Sequence, residues 1–168
     1  MDWHFFDVTA CAETKPGNDG RLMLPYYEAE NTPAVPAGVV HNFDVATANK
    51  AEQVRCLLES QALTMRLHSA WQGCDFKRIR VTGGASKSAT FRQILADVFQ
   101  AQIETVSVAN SASLGAAIRA ANAVDGIPFD DLYTQFCSSV SVINPDPALR
   151  GLYDGMLNDY VALEKSRG

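Results

Sequence analysis

The clearest pattern in the chain is a helical repeat of apolar residues between about residues 50 and 71. Four apolar side chains stand at i, i+4, i+8 and i+11, namely Val54, Leu58, Ala62 and Met65. This spacing puts all four on one face of a helix, and either Thr47 or Asn49 can cap its first turn. The pattern therefore predicts a long helix that buries this face.

A strand is predicted over residues 78–81, where polar and apolar residues alternate. Gly83 and Gly84 end it, because glycine adopts backbone angles that are closed to other residues. Either Ser86 or Ser88 can cap the helix that follows. That helix carries four apolar residues at i, i+3, i+4 and i+7: Phe91, Ile94, Leu95 and Val98.

A second strand at residues 103–108 and a helix of small residues at 112–121, capped by Asn110-Ser111, complete a strand–turn–helix–strand–helix unit. Its two strands are expected to pair in parallel through a right-handed crossover. This geometry makes the fold class α/β. Two further helices are predicted nearer the C-terminus, at residues 130–137 and 146–165.

Residues 12–38 are rich in proline and glycine and are predicted to be mainly loop. They contain a single short strand candidate at residues 22–24, and another strand is predicted at 39–43. A compact domain seldom holds so long a loop on its own. We therefore expect this loop to lack a packing surface in its own chain and to face a partner.

Composition and charge place the chain among ordinary globular proteins. It has 168 residues and 14 Lys and Arg against 19 Asp and Glu, a net charge of −5, and the whole length is expected to form a single domain. The absence of a basic cluster disfavours nucleic acid as a partner. Because no apolar run could span a membrane and no signal sequence is seen, we expect a cytoplasmic protein without a membrane partner. Four cysteines without a C-x-x-C pair are expected to be reduced thiols that pack as small apolar residues: Cys11, Cys56, Cys74 and Cys137.

The sharpest chemical feature is the strand–helix junction at residues 81–88, called the glycine turn below. Without side chains at Gly83 and Gly84, a ligand can reach the main chain, and the next helix offers unpaired N–H groups. This suits a phosphorylated or nucleotide ligand, whereas the alternative is a tight turn without a ligand. The pattern is neither G-x-G-x-x-G nor G-x-x-x-x-G-K-[ST]. The small-residue segment 109–117 indicates a closely packed helix, and a role as a hinge or as a helix beside a nucleotide would follow only from a family resemblance.

The chain carries three segments in a fixed order: Val81-Thr82-Gly83-Gly84-Ala85-Ser86, then Ile94-Leu95-Ala96-Asp97-Val98-Phe99, then Ala109-Asn110-Ser111-Ala112 with Gly115-Ala116-Ala117. Together they resemble the C-terminal lobe of the FGGY carbohydrate kinases, most closely that of the xylulose kinases. Leu24-Pro25-Tyr26 with Thr32-Pro33 is similar to a segment before the long helix of that lobe. The resemblance thus runs from about residue 1 to residue 165.

The resemblance implies an α/β fold, the C-terminal lobe of an actin/hexokinase/Hsp70-like (ribonuclease H-like) ATPase fold without its N-terminal lobe. Such kinases bind ATP with Mg²⁺ between two lobes and transfer the γ-phosphoryl group to a sugar hydroxyl. The implied reaction is phosphorylation of D-xylulose to D-xylulose 5-phosphate, with ATP or ADP and the sugar as partners. The catalytic carboxylate and sugar site belong to the other lobe, so this chain alone is expected to be inactive. A homo-oligomer is a possible assembly.

Carried over by position, the nucleotide contacts would be main-chain atoms of Gly83, Gly84 and Ala85. Ser88 stands where family members often have an asparagine, and its hydroxyl has a shorter reach than an amide. Trp3, followed by Phe6, is similar to a Trp-x-x-Phe segment whose tryptophan borders the nucleotide. No metal ligand is predicted in this chain.

Two alternatives to a xylulose kinase stay open. One is another FGGY sugar kinase, of the ribulose or glycerol type, and the other is a non-catalytic interaction module with the same half-fold. Asp97 is expected on the polar side of its helix, and Asp130-Asp131 at a helix start, where the dipole favours carboxylates. His4, His41 and His68 are not spaced as metal ligands.

Overall fold

A computed structural model describes residues 4–31, 34–106, 108 and 110–166. Short 3₁₀ turns lie at Asn18–Gly20, Val45–Thr47, Ala70–Gln72, Ala85–Lys87 and Pro147–Leu149. The helices and strands follow in chain order: a π-helix (Phe5–Thr9) continuing as α1 (Ala10–Ala12), β1 (Met23–Tyr26), β2 (Glu30–Asn31), β3 (Ala34–Val35), β4 (Gly38–His41), α2 (Lys50–Ser69), β5 (Arg78–Val81), α3 (Ala89–Phe99), β6 (Gln102–Val106), α4 (Ser111–Asp125), α5 (Phe129–Phe136), β7 (Ser139–Ile143) and α6 (Arg150–Lys165). Over the described part of the chain, no helix is both long and apolar enough to cross a membrane.

A three-stranded sheet in the order β5-β6-β7 carries the predicted unit. β5 and β6 pair in parallel, with Val81 opposite Thr105, and α3 connects them, which confirms the parallel prediction. β7 adds an antiparallel edge, with Ser141 opposite Thr105. The sequence does not predict β7, because its valines, Val140 and Val142, are exposed and mark no buried face.

The long helix α2 is confirmed and starts with a capping box. The Asn49 side chain accepts a hydrogen bond from the Glu52 N–H, and the Glu52 carboxylate accepts one from the Asn49 N–H. Three of its four predicted core residues are buried, namely Val54, Leu58 and Ala62. The prediction is wrong for Met65, which is 50% exposed because it lines an open cavity beside the glycine turn.

α3 buries the face that its spacing predicts: Phe91, Ile94, Leu95 and Val98. The expectation for Asp97 is wrong, since its side chain is buried rather than solvated. Its Oδ1 accepts hydrogen bonds from the Asp146 N–H at 2.7 Å and from Gln93 Nε2 at 2.9 Å. Burial raises the pKa of Asp97, and the carboxylate joins α3 to the segment that leads into α6.

Residues 22–26 of the segment predicted as a free loop pack against the core and α2 instead, whereas residues 27–31, 34 and 36–38 are exposed. β1 and β4 form an antiparallel hairpin in which Met23 pairs with His41. Leu24 and Tyr26 are buried in the core, and the Met23 N–H donates to the Ser60 hydroxyl of α2 at 3.0 Å. Although proline and glycine dominate the segment, the alternation of Leu22, Leu24 and Tyr26 is a strand signal that decides its packing.

The four cysteines are free thiols in the structure. Cys56 is buried, and desolvation raises its pKa to about 12, so it acts as a small core residue. Cys74 is exposed and does not fill the apolar role expected of it. The other two, Cys11 and Cys137, are half-buried.

A buried ion pair joins the N-terminal segment to both long helices. Glu59 of α2 is fully buried, and its Oε1 accepts hydrogen bonds from the Gly17 N–H at 2.9 Å, Arg55 Nη1 at 3.0 Å and the Tyr153 hydroxyl at 3.0 Å. Arg55 also donates to the Cys11 carbonyl at 3.0 Å. The turn that follows α1 is therefore fixed to α2 and α6 by charged hydrogen bonds.

The buried Glu59 predicts a pH dependence of stability. Burial raises the pKa of Glu59 above its ordinary value of 4.5. Since the folded state then binds the proton more tightly than the unfolded chain, Glu59 costs stability as the pH rises from its ordinary pKa through its raised pKa in the folded protein. We expect the free energy of unfolding of the wild type, minus that of Glu59→Gln, to fall as the pH rises above 4.5. Urea unfolding at several pH values measures it, and a constant difference contradicts the assignment.

An exposed glycine inside α6 predicts a stabilising substitution. A Cβ built at Gly155 meets no atom within 4 Å, so Gly155→Ala should raise the free energy of unfolding by about 0.5–1 kcal/mol through helix propensity. Gly17→Ala is the contrasting variant, because Gly17 has φ +81° and its added Cβ would lie 2.9 Å from Leu152. Urea unfolding should show opposite signs for the two variants, and equal signs would contradict the account.

Candidate functional site

The glycine turn exposes bare main chain between β5 and α3. Gly83 has φ +86°, which explains a glycine there by conformation alone. Gly84 has φ −62° and ψ −47°, angles open to any residue, and an added Cβ would meet no atom within 4 Å. Neither backbone geometry nor packing in the described chain thus requires glycine at position 84, so the tight-turn alternative accounts for Gly83 but not for Gly84.

The larger cavity beside the turn has a volume of about 640 Å³. It opens at the carboxyl ends of the parallel strands β5 and β6, the edge where open α/β sheets bind ligands. Its residues come from the turn, the start of α3, the end of β6 and strand β7: Thr82, Gly83, Gly84, Ser86, Lys87, Arg92, Thr105, Val106, Val108, Val140 and Ser141.

A smaller cavity of about 260 Å³ touches the same turn. It is lined mainly by apolar side chains, among them Val81, Ala85, Phe91 and Leu95, and it shares Thr82, Ser86 and Arg92 with the larger one. The turn therefore has a cavity of mixed polar and apolar lining and a mainly apolar cavity along it. Such a pair suits a ligand that combines a charged group with an apolar ring.

The charge at the larger cavity is positive. Lys87 and Arg92 line it, and its described lining includes no carboxylate. This favours an anionic ligand. The same wall does not fit Mg²⁺, which prefers carboxylate and phosphate oxygens. Among the residues that the structure describes, no group of three or more His, Cys, Asp or Glu side chains could hold a metal ion.

The predicted site residues lie in different environments. Gly83 and Gly84 line the larger cavity and Ala85 the smaller one. Ser88 is 2% exposed, and its hydroxyl accepts a hydrogen bond from the Phe91 N–H at 3.0 Å, so it caps α3. Its role in nucleotide binding stays a prediction. Trp3 lies outside the described residues.

α4 begins with the expected cap, since the Asn110 side chain accepts a hydrogen bond from the Ser113 N–H at 3.1 Å. Gly115 is exposed and an added Cβ would meet no atom within 4 Å. In the described chain, this glycine therefore serves no close helix packing. Ile118 is the buried residue of this helix.

Sequence reasoning missed three polar residues of the larger cavity. Arg92 Nη1 donates to the Ser141 hydroxyl at 2.6 Å, and that hydroxyl lies 2.8 Å from the Thr105 hydroxyl. Thr105 had a usable signal, because parallel pairing places it opposite Val81, next to the turn. Ser141 had none without β7, since it reaches Arg92 across 49 residues of chain.

Known proteins match almost the whole chain. Residues 7–124 match the family model described as "FGGY family of carbohydrate kinases, C-terminal domain". Xylulose kinase of Mus musculus is 28% identical over 174 residues, which are 97% of this chain and 31% of the mouse protein. The crystal structure of xylulose kinase from Rhodospirillum rubrum superposes with a TM-score of 0.79 and 27% sequence identity. The match covers 96% of this chain and 33% of the Rhodospirillum rubrum chain. Gluconate kinase from Lactobacillus acidophilus matches 95% of this chain and 33% of its own with a TM-score of 0.81 at 21% identity.

The chain thus spans about a third of the length of these relatives. The fold matches confirm the expected α/β architecture of the C-terminal lobe of an actin/hexokinase-like ATPase fold. The family match contains the glycine turn, α3 and β6. This chain therefore belongs to the FGGY family of carbohydrate kinases, through the C-terminal domain of that family.

Proposed function

We propose that this chain forms the adenine-nucleotide side of the cleft in an ATP-dependent carbohydrate kinase, and that the sugar is D-xylulose, converted to D-xylulose 5-phosphate. The observation that carries the nucleotide assignment is Gly84. Its backbone angles and surroundings accept a side chain, so a ligand that touches the main chain explains why none is present.

The turn offers hydrogen-bond donors as well as space. Within the turn, the Lys87 N–H donates to the Gly84 carbonyl at 3.1 Å and the Ser88 N–H to the Ala85 carbonyl at 3.2 Å. Among the described residues, the N–H groups of Gly84 and Ala85 have no such partner. They are placed to donate to a nucleotide that lies against the turn.

Phosphoryl transfer depends on placing the γ-phosphorus in line between the leaving ADP oxygen and the attacking sugar hydroxyl. In our proposal, the turn contacts the nucleotide through its main chain, while Lys87 and Arg92 provide positive charge at the neighbouring cavity. The base that accepts the hydroxyl proton and the residues that bind the sugar are assigned to the remainder of the enzyme. This chain alone is accordingly expected to transfer no phosphoryl group.

The choice of D-xylulose is supported by relatives in Mus musculus and Rhodospirillum rubrum. The shared fold of gluconate kinase supports a second candidate, a kinase for another sugar. A panel of D-xylulose, ribulose, glycerol and gluconate, assayed with the complete enzyme and ATP, decides between them. D-xylulose should give the highest kcat/KM, and preference for another sugar overturns that part of the proposal.

Substitution of Gly84 tests the nucleotide site. We expect Gly84→Leu to fold normally but to weaken Mg-ADP binding by about tenfold or more, because the new side chain fills the space above the main chain. Calorimetric titration of this chain with Mg-ADP measures the affinities of the variant and of the wild type, which is expected to bind weakly. Gly155→Leu is the matched control, since it adds the same side chain at an equally open glycine of α6.

Equal affinity of Gly84→Leu and the wild type would remove the nucleotide from the turn. Absence of binding by the wild type would instead favour the non-catalytic interaction module. Weaker binding by both leucine variants would show a general effect of substitution rather than a contact at the turn.

A further inference from the structure

Arg92 joins the glycine turn to the far side of the larger cavity. It lies in the first turns of α3, where its Nε donates to the carbonyl of Ser88, the last residue of the glycine turn, at 3.3 Å. Its Nη1 donates to the Ser141 hydroxyl of β7 at 2.6 Å. A single planar guanidinium thus spans the gap between the turn and the opposite strand.

The link continues into the sheet. The hydroxyls of Ser141 and Thr105 lie 2.8 Å apart, and Thr105 pairs with both Val81 and Ser141 across the strands. Val81 is the residue at which β5 enters the turn. A chain of hydrogen bonds therefore leads from Ser88, at the end of the turn, through Arg92 and Ser141 to Thr105. Thr105 in turn lies opposite Val81, where the turn begins.

The strand that completes this link lies outside the family match. Residues 7–124 match the C-terminal domain model, whereas β7 comprises Ser139–Ile143. Both Val140 and Ser141 line the larger cavity. The cavity is thus built by the matched domain together with a strand beyond it.

The turn has few other side-chain ties. The Ser86 hydroxyl donates to the Gly83 carbonyl at 2.8 Å, and the Ser88 hydroxyl accepts a hydrogen bond from the Phe91 N–H at 3.0 Å. Both of these hydrogen bonds stay within the turn and α3. In the part of the chain that the structure describes, Arg92 is therefore the side chain that ties the turn to β7.

We infer that Arg92 and Ser141 are positioning residues of the nucleotide site: they hold the glycine turn at a fixed distance from β7, so that the main chain of Gly84 stays in place for its ligand. This inference rests on the proposed function. All three side chains of the link are half-buried, and the buried apolar cluster contains none of them. Their loss should move the turn while leaving the core intact.

Variants at both ends of the link test the inference. Ser141→Ala should weaken Mg-ADP binding by about tenfold, the effect of one lost charged hydrogen bond. Arg92→Met should weaken it at least as much, because it removes the hydrogen bonds to both Ser88 and Ser141 and a positive charge at the cavity. The double variant should bind no more weakly than Arg92→Met alone, because both changes break the same link. Arg92→Lys should not restore binding, since one ammonium group cannot span the Ser88 carbonyl and the Ser141 hydroxyl.

Ser139→Ala is the matched control on the same strand. The Ser139 hydroxyl donates to Glu104 Oε2 at 2.9 Å and takes no part in the link, so this variant should bind Mg-ADP as the wild type does. An equal loss of affinity in Ser139→Ala and Ser141→Ala would overturn the inference. Additive losses in the double variant would do the same.

Amide hydrogen exchange on the nucleotide-free protein separates this inference from the proposed function. The Lys87 and Ser88 amides donate hydrogen bonds within the turn, and their exchange should accelerate in Arg92→Met and Ser141→Ala, while the amides of β6 keep their protection. If the wild type binds no nucleotide, the proposed function fails, and the exchange data still decide whether the link holds the turn. Unchanged exchange at the turn in both variants would show that it does not.

Discussion

The position of the glycine turn depends on the packing of α3 between the sheet and α2. The buried face of α3, which carries Phe91, Ile94, Leu95 and Val98, belongs to the same apolar cluster as Val54 and Leu58 of α2 and Ile103 of β6. Because α3 packs against α2 on one side and against the sheet on the other, it can neither slide nor rotate without exposing large side chains. The start of α3 is therefore fixed by the core, and this determines where the glycine turn leads into the helix.

Charged groups complete what apolar packing begins. Glu59 joins the turn at Gly17 to α2 and α6, and Asp97 joins α3 to the approach to α6. Each carboxylate accepts several hydrogen bonds inside the protein, which offset part of the cost of burial, while the raised pKa values show that burial still outweighs them. Nearer the surface, Arg92 joins the glycine turn to β7 by hydrogen bonds to Ser88 and Ser141. The glycine turn is thus held from behind by the core and from the side by one guanidinium.

The sequence predicted the elements whose signals are local. The periodicity of α2 and α3 and the parallel pairing of β5 and β6 can be read from neighbouring residues. Each cap could be narrowed to two candidates, of which the structure uses Asn49 and Ser88. The errors arose where a distant segment decides the environment. Met65 lines an open cavity and is therefore exposed. Asp97 is buried where it accepts a hydrogen bond from the Asp146 N–H. Ser141 contacts Arg92 from a strand whose exposed valines give no strand signal. The glycine turn could be found because missing side chains are visible in a sequence, whereas its supporting hydrogen bonds are not.

The most direct test of the central claim is an ADP titration of the unmodified protein, followed by backbone amide chemical shifts. If the nucleotide lies against bare main chain, the amides of Gly83, Gly84 and Ala85 should shift first and furthest, in a saturable manner. Shifts that cluster elsewhere, or a spectrum unchanged at ADP concentrations of about 10 mM, well above the weak affinity expected of one lobe, would contradict the account.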